Sequence, residues 1–176
     1  MKHTLSVLVE NKPGVLSRVA GLFSGRGFNI ESLSVAETLD PSVSHMTIVT
    51  RGNDEILEQI IKQLNKLINI IKVVDFVNGD FVNRETALIK VKVSEETRSQ
   101  ILSTVDIFRG RVVDVSHSSY VVEITGDDDK INALVNLFKP LGILELSRTG
   151  KVAMTRGEKT KLAIPGAPEN GIVKGG

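Results

Sequence analysis

Two short stretches carry groups that could hold a small ligand: Asn11-Lys12-Pro13-Gly14-Val15-Leu16 and Gly27-Phe28-Asn29-Ile30. The first is a polar turn between an alternating run and an amphipathic one. Backbone N–H groups at the start of a helix in such a place are free to bind an anion. Pro13 gives up no donor that a helix needs there, and Gly14 has no Cβ to keep a ligand off the backbone. Asn11 and Asn29 supply amides for an ammonium or a carboxylate, and Val15, Leu16 and Ile30 supply an aliphatic wall. No acid, base or nucleophile completes a catalytic set nearby. The chemistry these residues suit is capture of a free branched-chain amino acid. Taken singly, the turn also reads as ordinary strand-to-helix geometry, so placement has to decide.

The surrounding pattern supplies that placement. Leu5, Val7 and Val9 alternate with Thr4, Ser6 and, less cleanly, Leu8, which predicts a strand. Positions 15, 16, 19, 20, 22 and 23 form the stripe of a helix lying on a sheet, stopped by Gly25 and Gly27. Residues 28–37 predict a second strand and 46–49 a third, with turn chemistry at Leu39-Asp40-Pro41-Ser42 between them. Asn53 or Asp54 caps a helix striped by Ile56, Leu57, Ile60, Ile61, Leu64 and Leu67. The β-branched run 70–77 closes the series. The order is β-α-β-β-α-β, the ferredoxin-like pattern.

It then repeats. Strands are predicted at 86–93, 112–115, 120–124 and 143–146. One helix carries Ile101, Leu102, Val105 and Phe108, and a second, capped by Asp127 or Asp128, carries Ile131, Leu134, Val135 and Phe138. Leu22-Phe23-Ser24-Gly25-Arg26 matches Ile107-Phe108-Arg109-Gly110-Arg111 by letter. The fold class is therefore α+β, two tandem ferredoxin-like βαββαβ domains. The domains are expected at 1–78 and 79–158, joined at Asn78-Gly79-Asp80. Residues 159–176, with two prolines and four glycines, are expected to form a flexible tail. In this topology the second strand lies at a sheet edge, and an exposed edge is protected or pairs with another chain. Two copies joined there would set Asn29 and Ile30 of one against the Asn11–Leu16 turn of the other.

Composition narrows the function further. The chain has 176 residues, 41% of them hydrophobic but only 4% aromatic, and a formal net charge of +1. It can bury a core, and it lacks the basic footprint of a nucleic-acid or membrane-surface binder. With no cysteine, disulfides and thiol chemistry are excluded. The start shows no signal-peptide core and no run is long enough to span a bilayer, so a soluble cytoplasmic protein is expected.

From Leu5 to Ala36 the chain reads L-S-V-L-V-E-N-K-P-G-V-L-S-R-V-A-G-L-F-S-G-R-G-F-N-I-E-S-L-S-V-A. This resembles the ACT domain that begins the small regulatory subunits of acetohydroxyacid synthase (acetolactate synthase). The likeness continues through Ser44-His45-Met46-Thr47-Ile48-Val49, Phe108-Arg109-Gly110, Ser147-Arg148-Thr149-Gly150 and Arg156-Gly157, covering about residues 3–158. The resemblance implies a subunit without chemistry of its own. Such a subunit dimerises through the ACT domain and binds valine or a related branched-chain amino acid at that interface. It activates a catalytic large subunit and makes it feedback-sensitive. Thiamine diphosphate, Mg²⁺ and FAD would sit on the large subunit, with no cofactor in this chain. The resemblance places effector contacts on Asn11, Gly14, Val15 and Leu16, and across the dimer on Asn29 and Ile30.

Other groups read more plainly. His3, His45 and His117 have no metal-ligand spacing, and Asp127-Asp128-Asp129 suits a helix start better than a calcium loop. Arg109, Arg111 and Arg148 read as solvated arginines. An RNA-binding module shares the βαββαβ order and is the alternative of a different class, but it would stack bases on sheet aromatics. A ferredoxin-like hydrolase would need a catalytic constellation that the chain does not display. The second repeat has Ser94-Glu95-Glu96-Thr97 where the first has its proline-glycine turn, so a single type of ligand site is expected.

Overall fold

The computed structural model describes residues 1–76 and 81–157. The expected junction at 78–80 and the expected tail at 159–176 lie outside them. The chain divides into two compact units, Met1–Val82 with the residues from Ala153 on, and Asn83–Val152.

The first unit runs β1 (Lys2–Glu10), α1 (Val15–Gly25), β2 (Ile30–Glu37), β3 (Val43–Arg51), α2 (Asp54–Leu64) and β4 (Ile70–Asp75). Its sheet is antiparallel in the order β2-β3-β1-β4. β1 pairs continuously with β3, from Lys2↔Arg51 to Glu10↔Val43. Leu5, Val7 and Val9 of β1 meet Val15, Val19 and Phe23 of α1 and Leu57, Ile60 and Leu64 of α2 in one core. Each such side chain contributes about 1.5–3 kcal/mol relative to exposure. The buried stripe of α1 is narrower than the sequence suggested. Leu16 is 42% exposed and Ala20 is exposed, because Val15, Val19 and Phe23 face the sheet, with Leu22 packed against the core in part. β1 also departs from one-sided alternation: Thr4, Ser6 and Leu8 are buried too.

The second unit repeats the scheme with β5 (Phe81–Lys92), α3 (Glu95–Ile107), β6 (Arg111–Val115), β7 (Ser119–Gly126), α4 (Asp128–Phe138) and β8 (Ile143–Arg148). The order is β6-β7-β5-β8; β9 (Val152–Thr155), which the sequence reading missed, pairs with β5, and the ends of both strands, Ala153–Thr155 and Phe81–Val82, fall in the first unit. Ala87, Ile89 and Val91 pack with Ile101, Val105, Ile131 and Phe138. The expected caps form: Asn53 accepts from the Ile56 N–H at 2.9 Å and Asp127 from the Lys130 N–H at 2.9 Å.

The backbone wraps that close α1 and α3 match each other, at an offset different from the letter match. Gly27 (φ 70°) follows α1, and the Phe28 N–H returns to the Phe23 carbonyl at 2.9 Å. After α3 the same wrap uses Arg109 (φ 52°), with the Gly110 N–H on the Val105 carbonyl at 2.8 Å. Gly27-Phe28 therefore corresponds to Arg109-Gly110, three residues away from the letter match. This wrap also takes Phe28 out of the predicted strand, so β2 starts at Ile30, and the Phe28 ring packs edge-on against Phe23.

Arg148 is exposed, as expected, but its guanidinium is held in an ion pair. It donates from Nε and Nη2 to both carboxylate oxygens of Glu85, at 2.9 and 2.5 Å. Glu85 is 6% exposed. Arg148 also donates to the Asn132 side chain at 3.1 Å, and Asp128 lies 3.6 Å from it. Lys151 completes the group at 3.0 Å from Asp128. Arg111 is exposed as well and pairs with Glu123, which is only partly buried.

Candidate effector site

The turn after β1 is fastened on both sides before any ligand is considered. The Asn11 N–H donates to the Ser42 carbonyl at 2.7 Å. The Asn11 side-chain Nδ2 donates to Glu37 Oε1 at 3.0 Å and to the Pro41 carbonyl at 2.9 Å. On the other flank Asn69, a residue that nothing in its local sequence marks out, donates from Nδ2 to Glu10 at 2.5 Å. The Asn69 Oδ1 accepts from Arg18 at 2.6 Å. The Asn69 amide and then the Lys12 ammonium, 3.1 Å away, hold the Glu10 carboxyl below its ordinary pKa.

Gly14 caps α1 with φ 84°, the left-handed region that glycine enters without strain. A Cβ built there would meet nothing within 4 Å, so the space in front of the helix is open. The Val15 N–H turns back to the Lys12 carbonyl at 3.3 Å, and the first regular bond joins the Arg18 N–H to the Gly14 carbonyl at 3.0 Å. The N–H groups of Leu16 and Ser17 thus have no acceptor inside the helix. No side chain caps α1, and no acid lies in its first turn. The other three α-helices among the described residues have both. Asn53, Ser94 and Asp127 cap them, with Asp54 and Glu55, Glu95 and Glu96, and Asp128 and Asp129 in their first turns. At α3 a full capping box of Ser94 and Thr97 fills the position that the turn leaves open in the first repeat.

The predicted wall residues divide. Asn11, Gly14, Leu16 and Asn29 are exposed. Val15 is only 4% exposed and belongs to the core, and Ile30 packs against the same core in part. The reading of Val15 as ligand wall is corrected accordingly: its side chain is spent on packing, and Leu16 is the aliphatic group of the turn that faces outward. Asn29 precedes β2; its carbonyl accepts from Thr50 Oγ1 at 2.8 Å, and its side chain has no partner among the described residues.

Within one protomer the two stretches do not meet. Ile30 is level with Thr50 and, through it, with His3 at the start of β1. Glu37 is level with Ser44 and Val9, at the end of β1 from which the Asn11 turn departs. The stretches therefore sit at opposite ends of an eight-residue strand, roughly 20 Å apart. That strand, β2, has only one partner among the described residues, β3, in its sheet.

Comparison with known proteins decides the family. Residues 84–157 match the family described as "Small subunit of acetolactate synthase", and residues 5–72 match "AHAS small subunit-like ACT domain". The chain belongs to the acetolactate synthase small-subunit family. It is 57% identical over 159 residues to the "Probable acetolactate synthase small subunit" of Archaeoglobus fulgidus, covering 90% of this chain and 99% of that one. It is 53% identical over 157 residues to the acetolactate synthase small subunit of Mycolicibacterium smegmatis, with coverage of 89% and 92%. The crystal structure of the acetolactate synthase small subunit from Thermotoga maritima superposes with a TM-score of 0.83 at 43% identity, covering 90% of this chain and 99% of that one. The tandem ferredoxin-like architecture with an N-terminal ACT domain is that of this small subunit. Its middle strands β1 and β3 contain no Phe, Tyr or Trp on which RNA bases could stack. Among the described residues no helix is long and apolar enough to cross a membrane.

Proposed function

We propose that this small subunit is the regulatory partner of a cytoplasmic acetolactate synthase, and that it senses a branched-chain amino acid, valine foremost, in a cleft shared by two ACT domains. The observation that carries the reading is the separation of the two ligand stretches along an edge strand. A twofold, antiparallel pairing of β2 with a second β2 places the Asn29 end of one copy beside the Asn11–Leu16 turn of the other. Each half lacks what the other supplies. The open N-terminus of α1 suits the effector carboxylate, and Leu16 with the exposed part of Ile30 suits its aliphatic side chain. The capped, acidic start of α3 repels a carboxylate, which supports one type of site rather than two.

Catalysis belongs to the large subunit in this reading, together with thiamine diphosphate, Mg²⁺ and FAD. The small subunit stabilises the active arrangement of that partner. Valine binds one arrangement of the ACT dimer better than another, and the coupling is on the order of 1–3 kcal/mol.

Gly14→Asp tests the cleft. The new side chain enters open space, and a left-handed Asp costs about 1 kcal/mol in backbone strain. Its carboxylate then occupies the region the effector carboxylate would take. Calorimetry of the isolated protein with valine, leucine and isoleucine, alongside its mass in solution, is expected to show a dimer whose valine affinity falls at least about tenfold in the variant. Activation of the large subunit should persist. Wild-type affinity in Gly14→Asp would remove the turn from the site.

A further inference from the structure

We infer that Glu37 is the carboxylate that recognises the effector's ammonium group, and that it makes this site select amino acids over the 2-oxo acids of the same carbon skeleton. The inference rests on the shared-cleft reading above and adds to it the source of charge specificity.

The orientation of the Asn11 amide follows from its partners. Glu37 Oε1 and the Pro41 carbonyl are both acceptors with no proton to give. Both Nδ2 hydrogens are therefore committed, and turning the amide over would set oxygen against oxygen twice. Asn11 Oδ1 is left over on an exposed residue and has no donor among the described residues. Asn11 can thus accept from an ammonium but cannot donate to a carboxylate. Glu37 is exposed, and its second oxygen likewise has no partner among the described residues. An acceptor pair with a full negative charge, Asn11 Oδ1 and Glu37, therefore lies at the same end of the sheet as the uncapped start of α1. The site has a negative pole and a positive pole, the arrangement of a zwitterion in reverse. A 2-oxo acid offers the carboxylate but brings a carbonyl oxygen to the negative pole, where it is repelled. The sensor then responds to the aminated product and ignores the keto precursor that differs from it only at the α-carbon.

Glu37→Gln isolates the charge, because glutamine Oε1 can still accept from Asn11 and keep the amide in place. Calorimetry on the full-length dimer would compare valine with 3-methyl-2-oxobutanoate for the wild type, Glu37→Gln and Glu37→Asp. The wild type is expected to prefer valine by at least about a hundredfold. Glu37→Gln is expected to lose about tenfold or more in valine affinity while binding the 2-oxo acid no more weakly. Glu37→Asp should restore part of the preference. An unchanged preference in Glu37→Gln, or an equal loss for both ligands with circular dichroism and mass unaltered, would overturn the assignment and leave the cleft reading standing. A wild-type dimer that binds neither compound would remove the cleft reading itself, and this inference with it.

Discussion

Arg109 occupies a backbone conformation that the other repeat gives to a glycine. Its φ of 52° corresponds to Gly27 at 70°, and the wrap that closes each helix is otherwise the same. A side chain in this region costs about 1 kcal/mol. Arg109→Gly relieves the strain and gives back part of the gain through a more flexible unfolded chain. A net stabilisation of at most about 0.5 kcal/mol is expected, read as a higher urea midpoint with an unchanged slope. The neighbouring glycine is a different matter, because a Cβ on Gly110 would lie 3.0 Å from the Glu123 carbonyl. Letter matching paired Arg109 with Ser24, since it gave equal weight to every Phe and Gly. The backbone hydrogen bonds fix the true equivalence, and nothing in one-letter spacing reports them. Val15 was misjudged for a related reason: a residue one step past a ligand turn is also one step into a helix, and the core claims it.

Among the elements, the long amphipathic ones were the most legible. α2 and α4 were readable from cap and stripe together, and both caps formed where the residue types required. Strand limits were less so. β5 begins at Phe81, five residues before its alternation becomes visible, because Asn83, Arg84 and Glu85 interrupt the apolar pattern. Glu85 shows why an acid can sit in that strand: Arg148 grips both of its oxygens across the pairing of β5 with β8. The pair is a place where removing one partner matters more than the pair's own net value. Arg148→Ala leaves Glu85 buried without its counter-ion and is expected to destabilise the protein by about 3 kcal/mol in chemical denaturation. Replacing Glu85 by Leu and Arg148 by Met together should recover most of that loss. The short β9, Val-Ala-Met-Thr, carries too few residues to show a period, and its pairing with β5 depends on contacts far away in the chain.

At the scale of the whole molecule, the duplicated architecture was readable from the sequence because hydrophobic period, caps and turn residues agree along most of the chain. The candidate site was readable only as two fragments. Residue types marked Asn11 and Gly14, and Asn29 with Ile30, but the strand between them had to be seen in its sheet to show that one protomer cannot close the cleft. Glu37 and Asn69 escaped notice, and Pro41 read only as a turn residue, because their roles depend on hydrogen bonds to residues 26 to 59 positions away.

The opposite-ended layout of β2 has a genetic corollary. In a mixed dimer of a Gly14→Asp chain with an Asn29→His chain, one of the two clefts collects both lesions and the other collects none. Two variants that are each deaf to valine as homodimers should therefore regain hearing when coexpressed, at about half the wild-type number of binding sites per mixed dimer. Calorimetry on the purified heterodimer gives the count. A heterodimer with no functional site would mean that both lesions act within a single chain.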